Sequence, residues 1–169
     1  AFDGDEGTRW SSNFADDAWI MVDLAKKYNI NKVVLNWEAA YGESYNILVS
    51  TDGTNWTTVK KLKNQDGGID TITFDAVEAR YVKMQGVKRA LPYGYSLWEM
   101  EVYNTDSLVS EDTKPSTPDT PQEPEATYGI VSNNREAYSS GNENDTMYAG
   151  LAFDGDEGTR WSSNFADDA

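Results

Sequence analysis

Trp98-Glu99-Met100-Glu101-Val102-Tyr103 alternates large apolar residues with polar or amphipathic ones. Successive side chains of a strand point to opposite faces, so Trp98, Met100 and Val102 are expected on one face and Glu99, Glu101 and Tyr103 on the other. That period marks a half-buried strand. Similar short runs, β-branched or aromatic, recur back along the chain at Trp19–Leu24, Lys32–Trp37, Tyr45–Ser50, Trp56–Val59, Ile69–Phe74 and Arg80–Met84. Between them stand turn residues with a mechanism. In Thr51-Asp52-Gly53-Thr54 the Asp and Gly tolerate positive φ and suit a tight hairpin, and Asn64-Gln65-Asp66-Gly67-Gly68 makes a second turn. No helical period is sustained anywhere. The expected fold is all-β, an antiparallel β-sandwich.

The composition narrows the function classes. Twenty-nine acidic residues against fourteen basic ones give a net charge of −15. Nucleic acid and anionic membrane need a positive footprint, so neither is an expected partner. No apolar run reaches bilayer-spanning length, so membrane insertion is not expected either. The chain has no Cys and no His, which removes disulfides, thiolate or imidazole metal sites and a His-based triad from its 169 residues. Hard cations that take oxygen ligands remain compatible. Glycoside hydrolysis needs two carboxylates facing each other across a cleft, and pairs such as Asp16/Asp17 give no sign of one. No enzyme is expected.

Residues 1–18, AFDGDEGTRWSSNFADDA, return letter for letter as 152–169, an offset of 151 residues. Identity of that length is beyond chance. The chain reads as a window on a tandem array, a duplicated overlap in a permuted gene being the alternative. From Thr105 to Ala126 the character changes: four of the five prolines and six acids against one Lys mark an acidic, semi-rigid linker. Three parts follow: a body at 1–104 lacking its own opening strand, a linker at 105–126, and at 127–169 the opening segment of the next identical module. Residues 127–151 followed by 1–104 make a 129-residue module, which with the 22-residue linker accounts for the offset. The opening segment could complete the body of its own chain or that of a neighbour.

In order, A-F-D-G-D-E-G-T-R-W-S-S, W-I-M-V-D-L, S-T-D-G-T-N-W, A-R-Y-V-K-M and G-Y-S-L-W-E-M-E-V-Y resemble the discoidin family. That family is also called coagulation factor 5/8 type C and includes family 32 carbohydrate-binding modules. N-R-E-A-Y-S-S-G-N-E-N, residues 134–144, fits its opening strand. The resemblance spans essentially the whole module. It implies a jelly roll of about eight strands with binding loops at one end and no catalysis. V-K-R-A-L-P-Y-G-Y-S-L-W-E is most similar to modules appended to bacterial β-glucan-degrading enzymes.

Within the duplicated stretch, Asp3, Asp5 and Thr8 offer oxygen ligands, and Gly4 and Gly7 let the loop turn tightly. The spacing is not that of an EF-hand, since the twelfth position from Asp3 is Phe14. An acidic surface loop would look the same. The resemblance implies a structural Ca2+ held by Asp3, Asp5, Thr8 through hydroxyl and carbonyl, and Glu99, with a carbonyl from Ala1 or its neighbour closing the shell. The second copy carries the counterparts Asp154, Asp156 and Thr159.

A sugar site needs an aromatic face for the pyranose and polar groups for its hydroxyls. The resemblance places binding loops at 38–43 and 88–93, making Glu38, Tyr41, Arg89 and Tyr93 the carbohydrate-binding candidates. Arg89 could equally pair with one of the many carboxylates. Galactose-binding members use a loop His, and this chain has none. The expected function is a non-catalytic, calcium-stabilised module of an extracellular or cell-surface bacterial protein. It would bind a glycan, β-glucan among the candidates, or mediate adhesion, with neighbouring identical repeats supplying avidity. The alternative is a structural building block of a repeat fibre or filament, with head-to-tail contacts between modules.

Overall fold

A computed structural model describes residues 1–2, 8–105, 129–133 and 135–141. It contains eight strands: β1 (Trp10–Ser11), β2 (Trp19–Trp37), β3 (Gly42–Ser50), β4 (Thr57–Leu62), β5 (Ile69–Arg89), β6 (Ser96–Asn104), β7 (Gly129–Ile130) and β8 (Glu136–Ser139). Every pairing is antiparallel, in the order β1-β6-β2-β5-β3-β4, with β7 on β6 and β8 on β2. The all-β expectation holds. Among the described residues no helix is long and apolar enough to cross a membrane.

Two pairs of runs that read as separate strands are each one strand. Trp19–Leu24 and Lys32–Trp37 both belong to β2; Ile69–Phe74 and Arg80–Met84 both belong to β5. Each long strand serves both layers of the sandwich. The first part of β2 pairs with β8 and with the second part of β5, which in turn pairs with β3; the last part of β2 pairs with β6 and the start of β5. Strands change layer at bulges or bends, and β2 shifts register between Asp23 and Tyr28, with Ala25 at φ 67°. A clamp holds that corner. Asp23 accepts from the Ala25 N–H at 2.8 Å and takes Arg80 from β5 in a two-pronged ion pair at 2.7 and 2.6 Å. The Arg80 bonds, with the Ala25 N–H, hold the Asp23 carboxyl below the usual carboxylate range against its burial.

The core lies between the layers. Ile20 and Val22, Tyr45, Ile47 and Val49, and Val82 and Met84 face it from one sheet, and Val33, Leu35, Met100 and Val102 from the other. Burying each such aliphatic side chain contributes about 1.5–3 kcal/mol. The β6 alternation is broken in one place. Asn36 pairs with Glu99 and Trp37 with Leu97, so Trp98 is the extra residue of a bulge. Leu97, fully buried, takes the core position expected of Trp98, which is only half-buried.

The described residues of the opening segment pair with the body in this chain. Gly129 and Ile130 pair with Asn104 and Tyr103, and Glu136 to Ser139 with Asp23 to Ile20. The stretch 106–128 and residues 142–169, which include most of the linker and the second copy, lie outside the described residues.

Candidate functional site

Four loops meet at one end of the sandwich: 12–18 before β2, 38–41 between β2 and β3, 63–68 between β4 and β5, and 90–95 between β5 and β6. Backbone hydrogen bonds lace them together. Ser12 N–H donates to Tyr95 O at 2.8 Å, Ser96 N–H to Ala40 O at 2.8 Å, Ala90 N–H to Tyr41 O at 3.1 Å, Gln65 N–H to Glu43 O at 3.0 Å and Trp37 N–H to Gly68 O at 2.8 Å. Loops tied at so many points hold their side chains in fixed positions.

An aromatic cluster supports this end from below. Trp37 meets Tyr45 edge-on, with ring centroids 5.4 Å apart, and Tyr95 at 6.3 Å. Asp70 accepts from the Trp37 indole N–H at 2.9 Å and, with the same oxygen, from the Tyr45 hydroxyl. Burial and the Asp70 hydrogen bond raise the Tyr45 phenol, keeping it protonated. The fully buried Tyr95 ring lies across Gly86, where any Cβ would fall inside it, and its hydroxyl donates to the Asp16 carbonyl at 2.7 Å. Gly94 likewise lets the backbone pass against Ser12.

All four sugar candidates lie at this end, but in different roles. Tyr93 is 57% exposed. Tyr41 is half-buried, its ring packed where a Cβ on Gly67 would stand 2.8 Å away. Glu38 pairs with Arg9 at 3.3 Å and accepts from the Ala40 N–H at 3.2 Å. Arg89 is a brace. Its backbone N–H and Nε donate to Asp16 Oδ1 at 3.1 and 2.9 Å, and Nη1 donates to the carbonyls of Pro92 and Tyr93 at 3.0 and 3.1 Å. The Arg89 bonds hold the Asp16 carboxyl below its ordinary range. The guanidinium thus fixes the loop that presents Tyr93, the ion-pair reading of this residue.

Sequence reasoning passed over Phe14, 59% exposed, and Leu91, 40% exposed, on the same loops. It also left Asp16 and Glu43 unassigned; Glu43 reaches Lys88 at 2.6 Å. The surface therefore combines exposed apolar faces with carboxylates. Two further tryptophans are occupied elsewhere: Lys83 Nζ lies 3.8 Å from the Trp56 ring centre and 5.3 Å from that of Trp19, and burial lowers its pKa.

Of the expected calcium ligands, Asp3 and Asp5 lie outside the described residues, as do Asp154, Asp156 and Thr159. Thr8 is half-buried and Glu99 is 6% exposed on β6. Ala1 lies beside it, its carbonyl accepting from the Met100 N–H at 2.7 Å. Among the described residues no three carboxylates gather as a metal cluster.

Residues 1–84 match the family model for the F5/8 type C, NedA-like galactose-binding domain. A polysaccharide lyase 8 family protein, HylA of Enterococcus faecalis, is 44% identical over 91 residues, covering 52% of this chain and 7% of that protein. This chain thus spans only a small part of that relative's length. Chitosan-binding module 1 of a chitosanase/glucanase from Paenibacillus sp. IK-5 is 54% identical, with a TM-score of 0.59 over 62% of this chain and 82% of that one. Module 2 of the same enzyme, solved with chitotriose, is 47% identical at TM-score 0.59 over 60% and 82%. A family 32 carbohydrate-binding module from Clostridium perfringens, solved with GalNAc-β-1,3-galactose, is 27% identical at TM-score 0.53 over 59% and 78%. With this fold, this loop end and these identities, the chain belongs to the discoidin-like F5/8 type C family of carbohydrate-binding modules.

Proposed function

We propose that the chain is a non-catalytic glycan-binding module whose loop end takes amino-sugar oligosaccharides of the chitosan type. The observation that carries this reading is the exposed Tyr93, held by the Arg89 brace on a surface that also bears Asp16, Glu38 and Glu43. An aromatic face suits a pyranose, and carboxylates suit the protonated amines of glucosamine. A net charge of −15 adds long-range attraction for such a polycation. The relative solved with chitotriose supports the same class. Neutral β-glucan is the second candidate, favoured by the likeness to modules of a chitosanase/glucanase. Both polymers lie outside bacterial cells, so the module would work extracellularly. Repetition of weak sites would raise avidity on such a polymer.

Titration with chitotriose, its N-acetylated counterpart and laminarin tests the assignment. Binding of chitotriose that weakens with salt is expected, with Tyr93→Ala lowering affinity about tenfold, or ~1.4 kcal/mol. Because Tyr93 is exposed, the melting temperature should not move. Failure to bind any of the three would refute the function, and binding of laminarin alone would replace the amine reading by the neutral one.

The calcium site is part of the same proposal: Asp3, Asp5, Thr8, Glu99 and the Ala1 carbonyl would hold a Ca2+ that pins the first stretch to β6. The Ala1 carbonyl accepts from the Met100 N–H, which brings the start of the chain beside Glu99 on β6 and supports this grouping of oxygen ligands.

A further inference from the structure

At the end of the sandwich opposite the four loops, the described residues form a second concavity. The nine residues of β6 run from Ser96, at the loop end, to Asn104, about 26 Å away at strand spacing. There a cleft of about 210 Å³ opens between three stretches of chain. The corner of β2 brings Lys26 and Tyr28, β6 brings Asn104, and the run from β7 to β8 brings Ile130, Val131, Asn133 and Arg135. Backbone pairing holds the three together. Gly129 pairs with Asn104, the Val131 N–H donates to Val102 O at 2.8 Å, and the Thr105 N–H donates to Asn29 O at 2.9 Å.

The charge of this cleft is out of keeping with the rest of the molecule. The chain has twice as many acids as bases, and Arg9, Arg80 and Arg89 are each held by a carboxylate. Arg135 is the exception among the described arginines; its Nε donates to a backbone carbonyl, that of Val131, at 3.4 Å. Lys26 makes no ion pair among the described residues either, and its Nζ rests 5.0 Å from the centre of the Tyr28 ring. The acids of this corner hold other partners. Asp23 takes Arg80, Glu78 takes Lys27 at 2.9 Å, and Glu136 accepts from the Tyr138 hydroxyl at 2.9 Å. Two cations therefore line one cleft, and no carboxylate lines it with them.

We propose that this cleft is a second glycan subsite, which takes a single uronic-acid residue by its carboxylate. The fork of Arg135 matches a carboxylate in two-pronged geometry, and Lys26 adds a point charge. The amides of Asn104 and Asn133 can both donate and accept, as the hydroxyls of a sugar ring require. Ile130, 40% exposed, and Val131 supply an aliphatic wall for the C–H face of the ring. Volume sets the size of the ligand. Pockets for drug-sized molecules start at about 300 Å³, so this one admits one sugar ring rather than a stretch of polymer. Net charge selects as well: at −15 the chain repels a polyuronate, and the cleft suits an acid residue set in an otherwise neutral or cationic glycan.

Titration of the isotope-labelled full chain with D-glucuronate, followed by amide and arginine Nε–H shifts, tests the subsite. Shifts at residues 26–28, 104–105 and 129–133 and at the Arg135 Nε–H are expected, and D-glucose should cause none of them. Arg135→Gln should weaken glucuronate about tenfold and Lys26→Gln about threefold. Arg135→Lys keeps the charge but loses the fork, so it should fall between the parent and Arg135→Gln. Tyr93→Ala should leave glucuronate binding unchanged, because Tyr93 lies at the other end, and melting curves check that each variant is folded. No shift up to about 50 mM, shifts confined to the loop end, equal shifts with D-glucose, or parental affinity in Arg135→Gln would each overturn the proposal. Acetate or a Glu-Glu dipeptide binding as tightly as glucuronate would also overturn it, since the sugar ring would then contribute nothing.

Discussion

Asp70→Ala is the sharpest test of how the loop end is supported. One oxygen of Asp70 accepts from both the Trp37 indole, 4% exposed, and the Tyr45 hydroxyl, fully buried. Truncation leaves two buried donors without their acceptor. Each unsatisfied donor costs about 1–3 kcal/mol, so a loss of about 2–5 kcal/mol is expected. Asp70→Asn should cost only ~1 kcal/mol, because an amide oxygen in the same place accepts both bonds and only the charge assistance goes. Urea unfolding followed by tryptophan fluorescence measures both, with an unchanged m-value showing that the comparison is of native states. Tyr45→Phe supplies the cross-check. In the double variant Tyr45→Phe/Asp70→Ala the phenol donor is gone with its acceptor, so the summed single losses should exceed the double loss by about 1–2 kcal/mol. Additivity within ~0.5 kcal/mol, or Asp70→Asn as costly as Asp70→Ala, would refute the shared-acceptor account.

Ala25→Gly should stabilise the protein by about 0.5–1 kcal/mol in the same assay, since Ala25 holds φ 67°, a conformation glycine adopts without strain. The Asp23–Arg80 clamp sets an acid limit. Its carboxyl is depressed in the folded state, so its contribution is complete above the unfolded value of about 3.9 and is lost as pH falls through the lower folded value. Melting curves from pH 6 to about 2 should therefore fall less steeply for Asp23→Asn than for the parent below about pH 4. Gly86→Ala should cost about 1–3 kcal/mol or more, measured by urea unfolding, because the Tyr95 ring it would enter is fully buried. Removing Ca2+ with a chelator should lower the melting temperature, and Glu99→Gln should reduce that response; an unchanged melting curve on chelation would remove the metal.

Period-two patterning made the sheets legible because one face of each strand is buried, and burial selects the side chain position by position. Tyr45, Ile47 and Val49 show it in β3, each at most 2% exposed. What the pattern could not carry is continuity. Between Leu24 and Lys32 the apolar signal lapses, and that lapse looked like a loop. It is a corner of one strand, held by Asp23 reaching Arg80, 57 residues away. The Trp98 bulge escaped for a related reason: an extra residue in β6 is fixed by its pairing with Asn36 and Trp37, which local sequence does not specify.

The loop end was half legible on the same grounds. Family likeness brought Glu38, Tyr41, Arg89 and Tyr93 to one end of the sandwich. Their roles depend on partners far away in the chain, such as Asp16, 73 residues from Arg89. A loop arginine in a chain with twice as many acids as bases is more readily a brace than a ligand, since carboxylates are plentiful. The brace nevertheless serves recognition. By tying Pro92 and Tyr93 to Asp16, Arg89 couples the exposed aromatic to the loop 12–18 before β2. A change in that loop would therefore be felt at Tyr93, in the surface proposed to read a glycan.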